Sequence, residues 1–232
     1  MYDFPLLSLL LAPLLVAQGA YTKKITPRLP EPSGPRAGFA GQGPSLSLMI
    51  VGDSAAAGVG VSHQTEALSG HLGQKLAQYY EVSWRLIATS GHSTTDTIKA
   101  LTNIDAFNAE IAVISLGVND VVQMRYSKTW IQHQHQLRRL LINKFGCRKL
   151  IYSSVPPMHL FSAMPQPLRW FMGKRAGRFN EQLGAFIAAD PHSELISLPA
   201  RRDASFLASD GFHPSARTYA MWSDAIMDAI LK

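Results

Sequence analysis

The chain predicts an α/β fold in which a parallel sheet is covered by helices on both faces, and three observations carry that prediction. Apolar runs of strand length alternate with longer stretches on a helical period. The run at 46–51 is compact and mostly apolar, which suits a strand buried on both faces. Polar, glycine-bearing loops follow the runs, at the strand ends where ligands of such sheets collect.

The elements follow in order. Residues 46–51 form a compact apolar run and predict the first strand. Residues 64–80 place Ala67, Leu68, His71, Leu72, Lys75, Leu76 and Tyr79 on a helical period, so an amphipathic helix is expected. Residues 84–88 predict a second strand, a Ser/Thr/Gly turn follows, and a helix spans about 95–102. Residues 111–116 predict a third strand, and 129–145 a helix stopped by Gly146. A fourth strand at 150–155 ends at Pro156 and Pro157, which cannot continue a ladder. An amphipathic stretch at 168–189 leads to a short fifth strand at 194–198, and a helix at 215–231 closes the chain.

With 232 residues the chain can build one substantial core, and its 47% apolar and 16% charged residues are globular values. The single cysteine, Cys147, excludes an intramolecular disulfide framework, and no His-Glu-x-x-His or Cys-x-x-Cys occurs. No metal and no cofactor are expected. The net charge of +6 is uneven: Lys23, Lys24, Arg28 and Arg36 form one group, Arg138 to Lys149 a second, and Arg169, Lys174, Arg175 and Arg178 a third. Such clusters attract anionic lipid or acidic substrates, or form a solvated surface. No helix-turn-helix, zinc-finger or aromatic RNA-binding signature accompanies them, so nucleic acid is not an expected partner.

Residues 1–22 read as a hydrophobic anchor or signal segment, since 4–22 carry no charge and 6–16 are dominated by leucine. Pro5 and Pro13 interrupt it, and the positive charge lies after it. That asymmetry points to a retained, membrane-associated segment with the domain on the cytoplasmic face. The alternative is export to the periplasm after cleavage near Ala17-Gln18-Gly19. Residues 23–45, rich in Pro, Gly and basic residues, read as a linker, and the catalytic domain is expected over 46–232.

The loops carry the chemistry. Gly52-Asp53-Ser54 puts a hydroxyl at the tip of the first strand, and the small residues at 55–60 let backbone amides approach a ligand closely. Taken alone the tripeptide is also an ordinary turn and helix cap. Asp210-x-x-His213 supplies an acid and an imidazole close enough to act together, as a serine nucleophile requires. Of the other histidines only His92 lies beside the converging loops. Gly117-x-Asn119-Asp120 offers a side-chain amide that can donate toward an oxyanion, and the Gly91 and Ser54 amides are candidate further donors.

Gly52-Asp53-Ser54, Gly91, Gly117-x-Asn119-Asp120 and Asp210-x-x-His213, in that order, resemble the blocks of the SGNH (GDSL-type) hydrolase family over about residues 46–232. The resemblance implies a flavodoxin-like three-layer α/β/α sandwich with a five-stranded parallel sheet. It implies a catalytic triad with Ser54 as nucleophile, His213 as base and Asp210 orienting the imidazole. The oxyanion hole would comprise the Ser54 amide, the Gly91 amide and the Asn119 side chain. Ala55 stands where the family's name expects leucine, and residues 89–95 match the second block only loosely.

The implied reaction is hydrolysis of a small-molecule carboxylic ester through an acyl-enzyme, as in esterases, lipases and thioesterases. Residues 156–165 are apolar and methionine-bearing, continue to Trp170, Phe171 and Met172, and either line an acyl pocket or cap the core. A pocket there suits a medium acyl chain or a lipid-like ester, and the adjacent basic residues suit an anionic headgroup. The alternatives are an acyltransferase using the same triad and a non-catalytic binding module of flavodoxin-like shape.

Overall fold

The computed structural model describes residues 5–197 and 203–232, with side chains from residue 10 onward. The first residues of the expected N-terminal segment and Leu198, the expected end of the fifth strand, lie outside the described residues. The apolar runs form strands β1 (Ala37–Ala40), β2 (Ser45–Gly52), β3 (Glu81–Ala88), β4 (Ile111–Ser115), β5 (Lys149–Ser153) and β6 (Ser193–Ile196). They make one six-stranded sheet in the order β1-β3-β2-β4-β5-β6. All neighbours are parallel except β1, which runs antiparallel to β3. Without β1 the order is that of a flavodoxin-like sheet, whose strand order reverses beside the first strand in sequence.

The sheet therefore has six strands where five were expected. The extra strand lies in the stretch read as a linker, and the physical reason for missing it is its partner. A Cβ on Gly38 would sit 2.1 Å from the Trp84 ring, so only glycine lets β1 lie against that indole. Nothing local in Ala-Gly-Phe-Ala encodes this pairing with a strand more than forty residues away.

Eight helices accompany the strands among the described residues: α1 (Pro5–Ile25), α2 (Ser54–Ala57), α3 (Leu68–Leu76), α4 (Thr94–Asn103), α5 (Val118–Val122), α6 (Ser127–Phe145), α7 (Leu168–Ala188) and α8 (Ala216–Leu231). The helix expected over 64–80 is broken: residues 64–66 form a single tight turn, and Ala67 is extended at φ −87°, ψ 173° before α3 begins. The expected stop at Gly146 is present, with that residue left-handed at φ 71°. Ser215 caps α8 by accepting from the Thr218 amide.

Strand alternation divides the core in two. From β2, Leu48 and Ile50 face Leu68, Leu72 and Leu76 of α3 and Tyr219, Trp222 and Ile226 of α8. Met49 and Val51 face the other way, toward Leu101, Trp130, Leu137, Phe179 and Leu183 of α4, α6 and α7. This gives three layers, with the ends of β2 and β4 open at one edge.

The N-terminal helix α1 buries Leu15 and Thr22 but leaves Leu10, Leu14, Val16, Tyr21 and Ile25 exposed. Gln18 ties it to the domain, donating to the Gln166 carbonyl at 2.7 Å and accepting from the Leu168 amide at 3.0 Å. No helix of the described residues is long and apolar enough to cross a membrane.

Candidate active site

The turn at the end of β2 is built by the residues on either side of Ser54. Asp53 is extended and caps α2, its Oδ1 accepting from the Ala55 amide at 3.1 Å. Ser54 thus begins a short helix directly off the end of β2. The Tyr219 hydroxyl fixes this turn from α8, donating to the carbonyls of Ala55 and Val59 at 2.9 and 2.8 Å. Ala55, where the family expects leucine, belongs to this packing.

His213 reaches Ser54 from the opposite end of the chain. Its Nε2 lies 2.9 Å from Ser54 Oγ, and its Nδ1 lies 2.5 Å from Asp210 Oδ2. The other Asp210 oxygen accepts from the backbone amides of Phe212 and His213, each at 3.0 Å. The intervening Gly211 has φ +66°, and a Cβ there would meet Ser162 Oγ at 2.4 Å, so glycine is required to close this turn. The Asp210 side chain is fully buried. Burial alone would raise its pKa, but the His213 ring and the two amides together hold it below the ordinary carboxylate value. The carboxylate therefore stays ionised and fixes Nδ1 as the protonated ring nitrogen, leaving Nε2 free to accept from Ser54.

Asn119 comes from α5, one turn past the end of β4. Its Nδ2 donates to the His92 carbonyl at 2.9 Å and lies 3.4 Å from Asp53 Oδ2. The backbone carbonyl of His92 thus holds Asn119. Gly91 immediately precedes His92 and has φ +83°. Among the described residues neither its amide nor that of Ser54 has an acceptor. Asp120 stitches the second and third loops together, accepting at Oδ2 from the Thr94 amide and hydroxyl at 3.0 and 2.8 Å. The Thr94 hydroxyl in turn accepts from Trp130 Nε1 at 3.0 Å. Burial raises the pKa of Asp120, and pushes that of Asp53 up to about 7.

Ser54 and His213 open into a cavity of roughly 420 Å³. Its apolar wall includes Val118, Leu160, Phe161, Phe206, Leu207 and Phe212, and its polar lining includes His159, Gln166, Arg169 and Asp203. Phe161 and Phe212 pack with ring centroids 4.8 Å apart, and Phe212 meets the His213 ring at 5.2 Å. Residues 156, 157 and 159–162 therefore line the cleft, whereas Met158, Met164, Phe171 and Met172 are buried in the core. Gly91 and Asn119 do not line the cavity; Asn119 meets the site through Asp53.

Of the sequence-derived candidates, Ser54, Asp210 and His213 are in direct contact. Asn119 is one step removed, and Gly91 sits beside the His92 carbonyl that holds it. Sequence reasoning assigned no role to Tyr219 or Thr94. Both are buried helix residues whose local pattern looks like core.

The chain matches the profile of the GDSL-like lipase/acylhydrolase family over residues 50–221. That span contains the Ser54 turn, both loops around Asn119, and the Asp210–His213 turn. The chain belongs to this family. GDSL-like lipases and acylhydrolases are ester hydrolases, and the chain is one by membership. No curated protein matches it in sequence. Among solved structures, it is similar to a member of the lipolytic protein G-D-S-L family from Veillonella parvula, with TM-score 0.64, 17% identity, and coverage of 81% of this chain and 99% of that one. It is similar to the psychrotrophic esterase EstA from Pseudoalteromonas sp., with TM-score 0.61, 16% identity, and coverage of 79% and 96%. It is also similar to Est24, a carbohydrate acetylesterase from Sinorhizobium meliloti, with TM-score 0.58, 16% identity, and coverage of 82% and 99%. These likenesses are of fold.

Proposed function

We propose that the chain is a serine esterase that cleaves carboxylic esters through an acyl-enzyme on Ser54. The observation that carries this reading is the single imidazole that spans Asp210 and Ser54, 2.5 Å from one and 2.9 Å from the other. In the first half-reaction Ser54 Oγ attacks the ester carbonyl as Nε2 of His213 takes its proton. The same imidazolium then protonates the departing alcohol. In the second half-reaction Nε2 takes a proton from water, the hydroxide attacks the acyl-enzyme, and the proton returns to Ser54 as the acid leaves. Asp210 remains an anion and stabilises the imidazolium.

The developing oxyanion takes hydrogen bonds from the Ser54 and Gly91 amides and from the Asn119 amide group. Asn119 has two N–H bonds on Nδ2; the His92 carbonyl takes one and Asp53 Oδ2 the other at 3.4 Å, so serving the oxyanion requires the long Asp53 bond to be given up. The apolar wall of Phe161, Phe206, Leu207 and Phe212 suits an acyl chain of medium length, and the volume is that of a small-molecule pocket.

Initial rates on p-nitrophenyl esters from acetate to decanoate test the reading. Wild type is expected to prefer a medium chain, and S54A to lose turnover by at least about a thousandfold. Unchanged turnover in S54A would sink the serine mechanism.

The helix α1 is read in the same proposal as an interfacial segment on a lipid surface, with the domain on the cytoplasmic face. Its exposed leucines and Lys23, Lys24 and Arg28 beyond them suit an anionic headgroup layer. Protease access to the domain in intact against lysed cells decides the side.

A further inference from the structure

The cavity that holds Ser54 and His213 contains a cation that the proposed reaction does not use. Arg169 lines its wall, and the Arg169 Nε is buried with no hydrogen-bond partner. Among the described residues no carboxylate pairs with this guanidinium. The acidic group nearest in role, Asp203 in the same wall, is engaged elsewhere: it accepts from the Ser205 amide at 2.9 Å and from Arg217 at 3.4 Å. A guanidinium whose inner N–H is out of water and unpaired is a costly arrangement unless something else in the site answers it.

Its placement adds to that cost. Arg169 is the second residue of α7, whose first turn contains no acidic residue. A cation there faces the positive end of a long helix, the reverse of the usual preference. Nor does folding of the helix start require it. The amides of residues 168 to 171 are already taken by Gln18 Oε1, the Pro165 carbonyl, Gln166 Oε1 and the Pro167 carbonyl. An anion in this end of the cavity would therefore be held by the guanidinium, with the helix contributing field rather than donors.

We propose that Arg169 is the specificity residue for an anionic group on the alcohol side of the ester. On this assignment the substrates are acyl esters of an alcohol that bears a carboxylate or a phosphate. The acyl chain occupies the aromatic wall beside His213, and the charged leaving group points toward α7. A planar guanidinium presents two parallel N–H bonds to either anion, which a lysine in the same place does not. His159 and Gln166, in the same lining, stand as further donors to such a group. The assignment rests on the serine esterase reading and names the substrate class of that site.

Two matched ester pairs test it: 4-(hexanoyloxy)benzoate against its methyl ester, and hexanoylglycerol phosphate against hexanoylglycerol. In wild type the anionic member of a pair is expected to have the higher kcat/KM. In R169Q its KM should rise about ten- to a hundredfold more than that of its neutral partner, the range for losing a charge-assisted hydrogen bond. R169K should fall between, keeping charge without the fork. A response confined to one pair identifies which anion is recognised. An anionic-to-neutral kcat/KM ratio that is within twofold of wild type in R169Q, with circular dichroism and Tm preserved, overturns the proposal. If wild type hydrolyses no ester, the esterase reading fails on its own. Calorimetric binding of the same pairs to wild type and R169Q then decides the Arg169 question, equal affinities refuting it.

Discussion

Replacing Glu31 by alanine removes a carboxylate that reaches the candidate oxyanion loop from outside the matched family region. Its Oε1 accepts from the Ser90 amide at 2.8 Å and the Ser90 hydroxyl at 2.7 Å, and its Oε2 from Arg36 at 2.8 Å. Arg36 also donates to the Ala88 carbonyl at the end of β3. Residues 31–36 thus strap the turn that carries Gly91. A Cβ at Gly91 would meet nothing within 4 Å, so no neighbour packs over that residue on its Cβ side. A hydrogen bond to a charged group contributes about 1.5–3 kcal/mol when shielded, but the Glu31 side chain is 32% exposed. Discounted to about 1 kcal/mol for each Ser90 bond, the strap favours the ordered turn by about 2 kcal/mol, or about thirtyfold in population. E31A is therefore expected to lower kcat by up to about thirtyfold with KM within twofold. E31Q, which keeps one acceptor oxygen, should lose about three- to fivefold. Both remain below the roughly hundred- to thousandfold loss of a complete oxyanion donor. The assay is steady-state turnover of p-nitrophenyl hexanoate, with Tm measured alongside to exclude global unfolding. The acid side gives a second readout. Burial raises the Glu31 pKa, but the two Ser90 bonds and Arg36 outweigh it and the net shift is down from 4.5. A lowered pKa means a contribution that is present above 4.5 and lost as pH falls below it. Unchanged kcat in E31A at neutral pH would show that the Gly91 turn positions itself, and the strap argument would be wrong.

Two further outcomes are expected. In D210N the amide oxygen keeps the Phe212 and His213 amides, which turns its NH2 toward His213 Nδ1. The ring must then carry its proton on Nε2, where it can no longer accept from Ser54, and kcat should fall about a thousand- to ten-thousandfold at similar KM; a loss under tenfold would contradict the assigned tautomer. In D53N the pH dependence of stability should change. Burial raises Asp53 from 3.8 to about 7, with the Ala55 amide and the His213 charge opposing and the Asp120 charge adding to the rise. A raised pKa stabilises the fold below 3.8, and that stability is lost as pH rises to about 7. Between pH 5 and 8 wild type should therefore lose about 3 kcal/mol relative to D53N, an upper figure for the interval from about pH 5 to 7; parallel urea-unfolding curves across that range would show that Asp53 ionises freely.

The residues legible in the sequence are those whose role is written in their own side chains. Ser54, Asp210 and His213 carry the hydroxyl, carboxylate and imidazole of the candidate site, and their setting, an apolar strand end and a turn before a helix, is a local pattern. The layers were legible for a similar reason, since the mostly apolar runs at residues 46–51 and 111–116 suit strands covered on both faces by helices. The edge strand β1 was not, because its pairing depends on Trp84 covering Gly38. The helix expected over 64–80 kept its period through Ala67, whose extended backbone is set by Gln64, which donates to the Ala57 carbonyl and accepts from Ser69.

The supporting residues fail to show for a sharper reason: they act through generic groups. His92 contributes a carbonyl, which every residue possesses, and Glu31 a carboxylate in a stretch whose prolines and glycines read as linker. Arg169 stands in a basic run that ordinary surface chemistry explains, and only the cavity wall shows that one of its N–H groups has left water. Asp120 lay inside a recognised block, yet its carboxylate turns away from the nucleophile to hold Thr94. The block is thus two devices at adjacent positions, an amide beside the nucleophile turn and an anchor that fixes the helix carrying it. Preorganisation of an oxyanion hole needs both, because a donor that must be reoriented during the reaction stabilises the transition state less than one already held in place.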